Sequence, residues 1–155
     1  MFENMLGYLV LLILICGGAM IAIGLRPFIV ISGSMEPEIK TGSICFVNTR
    51  ASFYEVKKGD VIAFKAPSGA LVTHRVIGAE ENGRILVTKG DNNDVEDGQT
   101  TTVENFCGKT LFSIPYAGYV VAALQEPKYK IMAGIVITAL VLLTVLDYTW
   151  KGEVS

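Results

Sequence analysis

From Leu6 to Leu25 the chain carries no charged side chain, and no other feature restricts its fold as strongly. Those twenty residues, wound as a helix rising about 1.5 Å per residue, reach about 30 Å, the thickness of a bilayer's hydrocarbon core. A transmembrane helix is therefore predicted. A cleavable leader fits less well, because the segment opens with Glu3 where Lys or Arg is usual and its apolar run exceeds the usual core of about 7–15 residues.

A second uncharged run, Ile131 to Leu146, would rise only about 24 Å as a helix. Tyr129 before it and Tyr148 and Trp150 after it suit membrane interfaces, and Asp147 can reach the headgroups. A second span is predicted, with a buried helix of the intervening domain as the alternative. The chain then divides into an N-terminal anchor at 1–26, a domain at 27–127, a C-terminal transmembrane helix at 128–150 and a short tail at 151–155.

About a hundred residues between the spans make one small domain. Setting aside Lys151, Glu3, Asp147 and Glu153 leaves twelve basic and twelve acidic residues there, a balance that excludes a nucleic-acid partner. Cys16, Cys45 and Cys107 are far apart and form no metal-binding pattern, so no metal or other cofactor is expected. Cys45 and Cys107 can pair only if the fold brings their alpha carbons within about 7 Å, and two buried free thiols are the simpler account.

The domain reads as mainly β. Short apolar segments at Ile44–Asn48, Val61–Lys65, Leu71–Ala79 and Arg84–Lys89 are separated by Gly, Asp and Asn. The turn Glu80-Glu81-Asn82-Gly83 supplies the positive φ angles of a tight reversal, so the last two segments are predicted to form an antiparallel hairpin. A loop rich in Asp, Asn and Gly follows at 90–98, then an apolar stretch around Phe106, Leu111, Phe112 and Ile114, and a short helix near Val120–Leu124.

Three features carry chemistry. Ser34 lies in Ser32-Gly33-Ser34-Met35-Glu36-Pro37, a segment that begins seven residues after Leu25. Gly33 permits close backbone approach and Pro37 restricts the chain beyond, so a hydroxyl can be presented in a fixed orientation. The bland reading is a hydrogen-bonded loop serine. His74 is the one histidine, within a predicted strand; a neutral imidazole can accept a serine proton, although a lone strand histidine is commonly structural. Asp91, Asp94 and Asp97 compete to be the anion that orients such an imidazole, against the alternative of capped turns or solvated charges. Phe28, Ile29, Val30 and Ile31, just ahead of the serines, suit lipid, an extended substrate or a buried strand.

Five ordered motifs, Ser-Gly-Ser-Met-Glu-Pro at 32–37, Lys-Lys-Gly-Asp-Val-Ile at 57–62, Thr-His-Arg-Val at 73–76, Lys-Gly-Asp-Asn-Asn at 89–93 and Ile-Pro-Tyr-Ala-Gly-Tyr-Val at 114–120, resemble the type I signal peptidases. The resemblance is to the endoplasmic-reticulum type, which also occurs in archaea and some Gram-positive bacteria. It implies a signal-peptidase-like β catalytic domain flanked by two transmembrane helices. It also implies Ser34 as nucleophile, His74 as general base, Asp97 as the acidic member with Asp94 less favoured, Asp91 as a supporting residue, and Ser32 in the oxyanion hole. The common bacterial branch uses a lysine base; Lys65 and Lys89 do not follow that motif.

The implied activity is a serine endopeptidase that removes signal peptides from exported pre-proteins by Ser-His-Asp acyl transfer. The implied partners are secretory pre-proteins, the lipid bilayer and accessory membrane subunits. The implied location is a multi-pass membrane protein of an archaeal or Gram-positive cell membrane, ahead of the endoplasmic reticulum. The catalytic domain is expected on the exit side, although Arg26, Lys128 and Lys130 outnumber Lys151 and would by charge alone put it inside. A membrane-anchored scaffold of the same fold is the alternative, and a self-cleaving repressor is disfavoured by the two apolar runs and the lack of a DNA-binding region.

Overall fold

Side chains that alternate between buried and exposed along short segments build a half-buried antiparallel sheet. The computed structural model describes residues 2–132, 134–136, 138–139 and 142–143. They divide into two compact units, Met1–Gly118 and Tyr119–Ser155. The first holds a helix, α1 (Phe2–Ala22), and six strands: β1 (Leu25–Ile29), β2 (Ile44–Asn48), β3 (Val61–Lys65), β4 (Leu71–Glu80), β5 (Ile85–Lys89) and β6 (Phe106–Ile114). One sheet in the order β1-β2-β6-β3-β4-β5 contains them all, and every neighbouring pair is antiparallel. The domain is mainly β, as expected.

The helix stops short of the apolar run. Thr49 donates both its N–H and its hydroxyl to the carbonyl of Gly24, which draws Leu25 into β1 as a buried strand residue. Side chains of α1 are described at 7, 8, 11, 12 and 14–22, and Tyr8, Leu11, Leu14 and Ile15 among them are exposed. Counted over described residues, no helix is long and apolar enough to cross a membrane. The second predicted run, 131–146, includes 133, 137, 140, 141 and 144–146, which lie outside the described residues, as do Asp147, Tyr148 and Trp150.

Strands β2 and β3 keep their predicted limits, and β4 extends one residue further, to Glu80. The predicted hairpin forms: Glu81, Asn82 and Gly83 have φ of 48°, 55° and 84°, so the reversal uses three left-handed residues and Arg84 is spent on the turn. A helix, α2 (Ala117–Gln125), contains the predicted Val120–Leu124. In the second unit a bend at Glu126, whose carbonyl accepts the N–H groups of Tyr129 and Lys130, precedes helical residues at 127–132 and at the described positions beyond.

Two apolar clusters underlie the sheet. Phe53, Ile62, Phe64, Val76 and Leu86 form the larger, and burying each side chain of this kind stabilises the fold by about 1.5–3 kcal/mol. Met35, Ile39 and Cys45 form the smaller, closed by Val30 and Val61. Cys45 and Cys107 are free thiols. Cys45 registers against Ser113, six residues along β6 from Cys107. At about 3.3 Å per residue that offset is far beyond the reach of a disulfide.

Candidate active site

The segment after β1 is tied down before it reaches the serines. Val30 donates its N–H to Ser43 at 2.9 Å and accepts that of Gly42 at 2.8 Å. Beyond Ser34, Met35 and Ile39 turn into the smaller cluster and leave 1% and 4% of their surface exposed, so apolar burial pins the loop from beneath. Gly33 does not have the left-handed conformation, and a Cβ there would touch Glu36 at 3.4 Å, ordinary contact. The close approach expected at Gly33 is absent. The loop is shaped instead by Glu36, whose carboxylate accepts the N–H of Thr41 at 3.1 Å and its hydroxyl at 2.9 Å. Those two bonds hold the Glu36 carboxyl below its usual range.

Held in this way, Ser34 Oγ lies 3.0 Å from His74 Nε2. His74 sits on β4 opposite Ile62, is only 7% exposed, and meets the Phe64 ring in an edge arrangement with centroids 6.2 Å apart. Its other nitrogen, Nδ1, is 2.7 Å from Asp97 Oδ2 and 2.9 Å from Oδ1. Residue chemistry alone left three aspartates in competition, and the family resemblance favoured Asp97; the fold brings Asp97 to the imidazole and leaves Asp94 exposed. Asp91 joins Arg75, which donates from Nε at 2.8 Å and from a terminal nitrogen at 2.6 Å, a bidentate pair that raises the affinity of the guanidinium for its proton. Arg75 also donates to the carbonyl of Gly59 at 2.9 Å. Ser32 Oγ is 3.4 Å from Ser34 Oγ. Lys65 lies at the exposed end of β3, and Lys89 pairs with Arg75 in the β4–β5 register.

Some contacts had no signature in the sequence. Thr88, fully buried on β5, donates its hydroxyl to Asp97 Oδ2 at 2.5 Å and accepts the Asp97 N–H at its carbonyl at 2.8 Å. Its alternation with Leu86 would mark an inward position, and a polar residue there is the only hint. Gly90 passes so close to the serine loop that a Cβ would lie 2.5 Å from the Ser34 carbonyl oxygen. That same carbonyl accepts the Asn92 N–H at 2.9 Å.

Beside Ser34 and His74 opens a cavity of about 650 Å³, walled by Phe28 to Ile31 on one side and Ala70 to Thr73 on the other. Phe28 and Val30 are half-buried and Ile31 is 88% exposed, so this segment is neither wholly core nor wholly surface. The arrangement can transfer a proton from the hydroxyl to the ring while a carboxylate steadies the charge that forms there.

Known proteins resemble the chain over this same region. Signal peptidase I W of Bacillus subtilis (strain 168) is 42% identical over 89 residues, 56% of this chain and 47% of that protein. The signal peptidase complex catalytic subunit SEC11C of Rattus norvegicus is 35% identical over 129 residues, covering 74% and 66% respectively. SEC11 of Eremothecium gossypii is 34% identical over 113 residues, covering 65% and 66%. The chain thus spans between about half and two thirds of the length of these relatives. The family described as signal peptidase, peptidase S26, matches residues 3–100, a stretch that runs from α1 past Asp97 and takes in Ser34 and His74. By that match the chain belongs to the signal peptidase family, peptidase S26.

Proposed function

We propose that this protein is a membrane-bound serine endopeptidase that removes N-terminal signal peptides from exported pre-proteins. The observation that carries the reading is the unbroken line from Ser34 Oγ through both ring nitrogens of His74 to Asp97. Donation of Nδ1–H to Asp97 leaves Nε2 as an acceptor. His74 takes the Ser34 proton as Oγ bonds to the scissile carbonyl carbon, and the carbonyl π electrons move onto oxygen. The Ser34 N–H and the Ser32 hydroxyl donate to that oxyanion. Its collapse breaks the C–N bond, and the leaving amine takes the proton back from the imidazolium. A water deprotonated by His74 then releases the signal peptide from Ser34.

The apolar cavity walls suit the extended, small-residue stretch at a cleavage site, which follows directly on an apolar core. The run from Leu6 to Leu25 is the proposed anchor and 131–146 the proposed return span, with the β domain on the exit side of a prokaryotic cell membrane. The SEC11 relatives are named as catalytic subunits of a complex, which makes accessory subunits part of the proposal here.

Reconstitution of the purified chain in liposomes with a labelled pre-protein tests this. Cleavage by the wild type and none by Ser34→Ala is expected. Cleavage retained by Ser34→Ala would defeat the nucleophile assignment, and binding without cleavage by the wild type would favour a scaffold.

A further inference from the structure

We propose that Thr88 is a positioning residue whose buried hydroxyl fixes the Asp97 carboxylate and thereby holds His74 in one tautomer. Its kinetic consequence rests on the peptidase reading; its geometric consequence does not.

Asp97 lies in the irregular stretch between β5 and β6, where nothing in the backbone pattern restrains its two side-chain torsions. Thr88 restrains them from a strand. Its carbonyl accepts the Asp97 N–H at 2.8 Å, and its hydroxyl donates to Oδ2 at 2.5 Å, so main chain and side chain are gripped by one residue. β-Branching makes Thr88 stiff about χ1. An ionised carboxylate only accepts, and the fully buried Thr88 hydroxyl has one proton to give, so the hydroxyl finds its acceptor in Oδ2 with no water to compete for it. Oδ2 then receives two donors, Thr88 Oγ1 and His74 Nδ1, the latter at 2.7 Å.

The sheet fixes the distance between these groups. Thr88 registers opposite Val76, two residues beyond His74 on the same inward face of β4. The spacing of base and acid is therefore set by strand pairing, with Thr88 as the link that transfers it to a loop aspartate. If Thr88 were merely packing, an isosteric valine beside Val76 and Leu86 would serve as well.

That contrast defines the experiment, made on the full chain in liposomes. Thr88→Val keeps the shape and deletes the donor, whereas Thr88→Ser keeps the donor and deletes a methyl. Because the chain has one histidine, ¹⁵N labelling of imidazole gives one pair of ring signals. The wild type and Thr88→Ser are expected to show Nδ1 protonated, and Thr88→Val a mixture of tautomers. Cleavage by Thr88→Val is expected to lose about ten- to a hundred-fold in kcat with KM nearly unchanged, and Thr88→Ser to keep most of it. A wild-type tautomer and kcat in Thr88→Val would overturn the proposal. So would a loss in Thr88→Ser equal to that in Thr88→Val. Should Thr88→Val not fold, Thr88→Ala takes its place against Thr88→Ser with the same two outcomes. A chain that shows the tautomer shift but cleaves no pre-protein refutes the peptidase reading and not this one.

Discussion

Ser34 is constrained from three directions: Met35 is sunk in the core behind it, its carbonyl is bound by Asn92, and its hydroxyl meets His74. In the proposed reaction Ser32 adds a donor to the oxyanion, so Ser32→Ala is expected to lower kcat about 10²–10³-fold with little change in KM, read by steady-state cleavage. Asp97→Asn, which favours the wrong tautomer, is expected to cost on the order of 10⁴-fold, while Asp94→Ala stays near wild type. Burial pushes the Cys45 thiol up to about 11, so peptide-resolved alkylation at neutral pH should leave it unmodified until the protein is denatured. At this scale residue type and context marked the serine and the histidine as candidates, while their roles, like the choice of Asp97, came from the family resemblance. Three aspartates of like chemistry in one loop were not separable by chemistry, and Thr88 was invisible because a threonine in a strand is ordinary.

Between elements, the decisive contacts join loops to strands. A methyl at position 90 collides with the Ser34 carbonyl, so Gly90→Ala is expected to abolish most cleavage while circular dichroism reports an intact sheet. In the middle of the sheet Lys109 of β6 bonds Asp60, just before β3, at 2.8 Å. Burial alone would raise the Asp60 carboxyl, but Lys109 and the Lys57 N–H more than offset it and hold it below the usual range. A depressed folded pKa gives stability that is complete above the unfolded value, about 3.9, and lost as pH falls through the folded one. The Tm advantage of the wild type over Asp60→Asn should therefore be steady near neutrality and shrink below about pH 4. Alternation and the Asn-Gly pair made β2 to β5 readable in advance. The insertion of β6 between β2 and β3 was not readable, because pairing of strands distant in sequence leaves no local pattern. The end of α1 was missed because Thr49, twenty-five residues away, decides it.

For the molecule as a whole, the proposed arrangement puts the β domain across the membrane from both tails. In sealed right-side-out vesicles, external protease is expected to reach the exposed loop at Tyr54 and to leave a tag at either terminus intact. The reverse pattern would support the charge count, which favours the opposite orientation. Two neighbouring residues show why the sheet tolerates so little error around the site. His74 turns inward to Asp97, and Arg75, one step along β4, turns outward to Asp91, so the two ends of a single loop clasp opposite faces of the same strand. A slip of β4 by one residue would turn His74 to the outward face and carry the proton acceptor away from Asp97. Such a frame error leaves no partly working intermediate, and the loop behaves as a latch that closes only on the correct register.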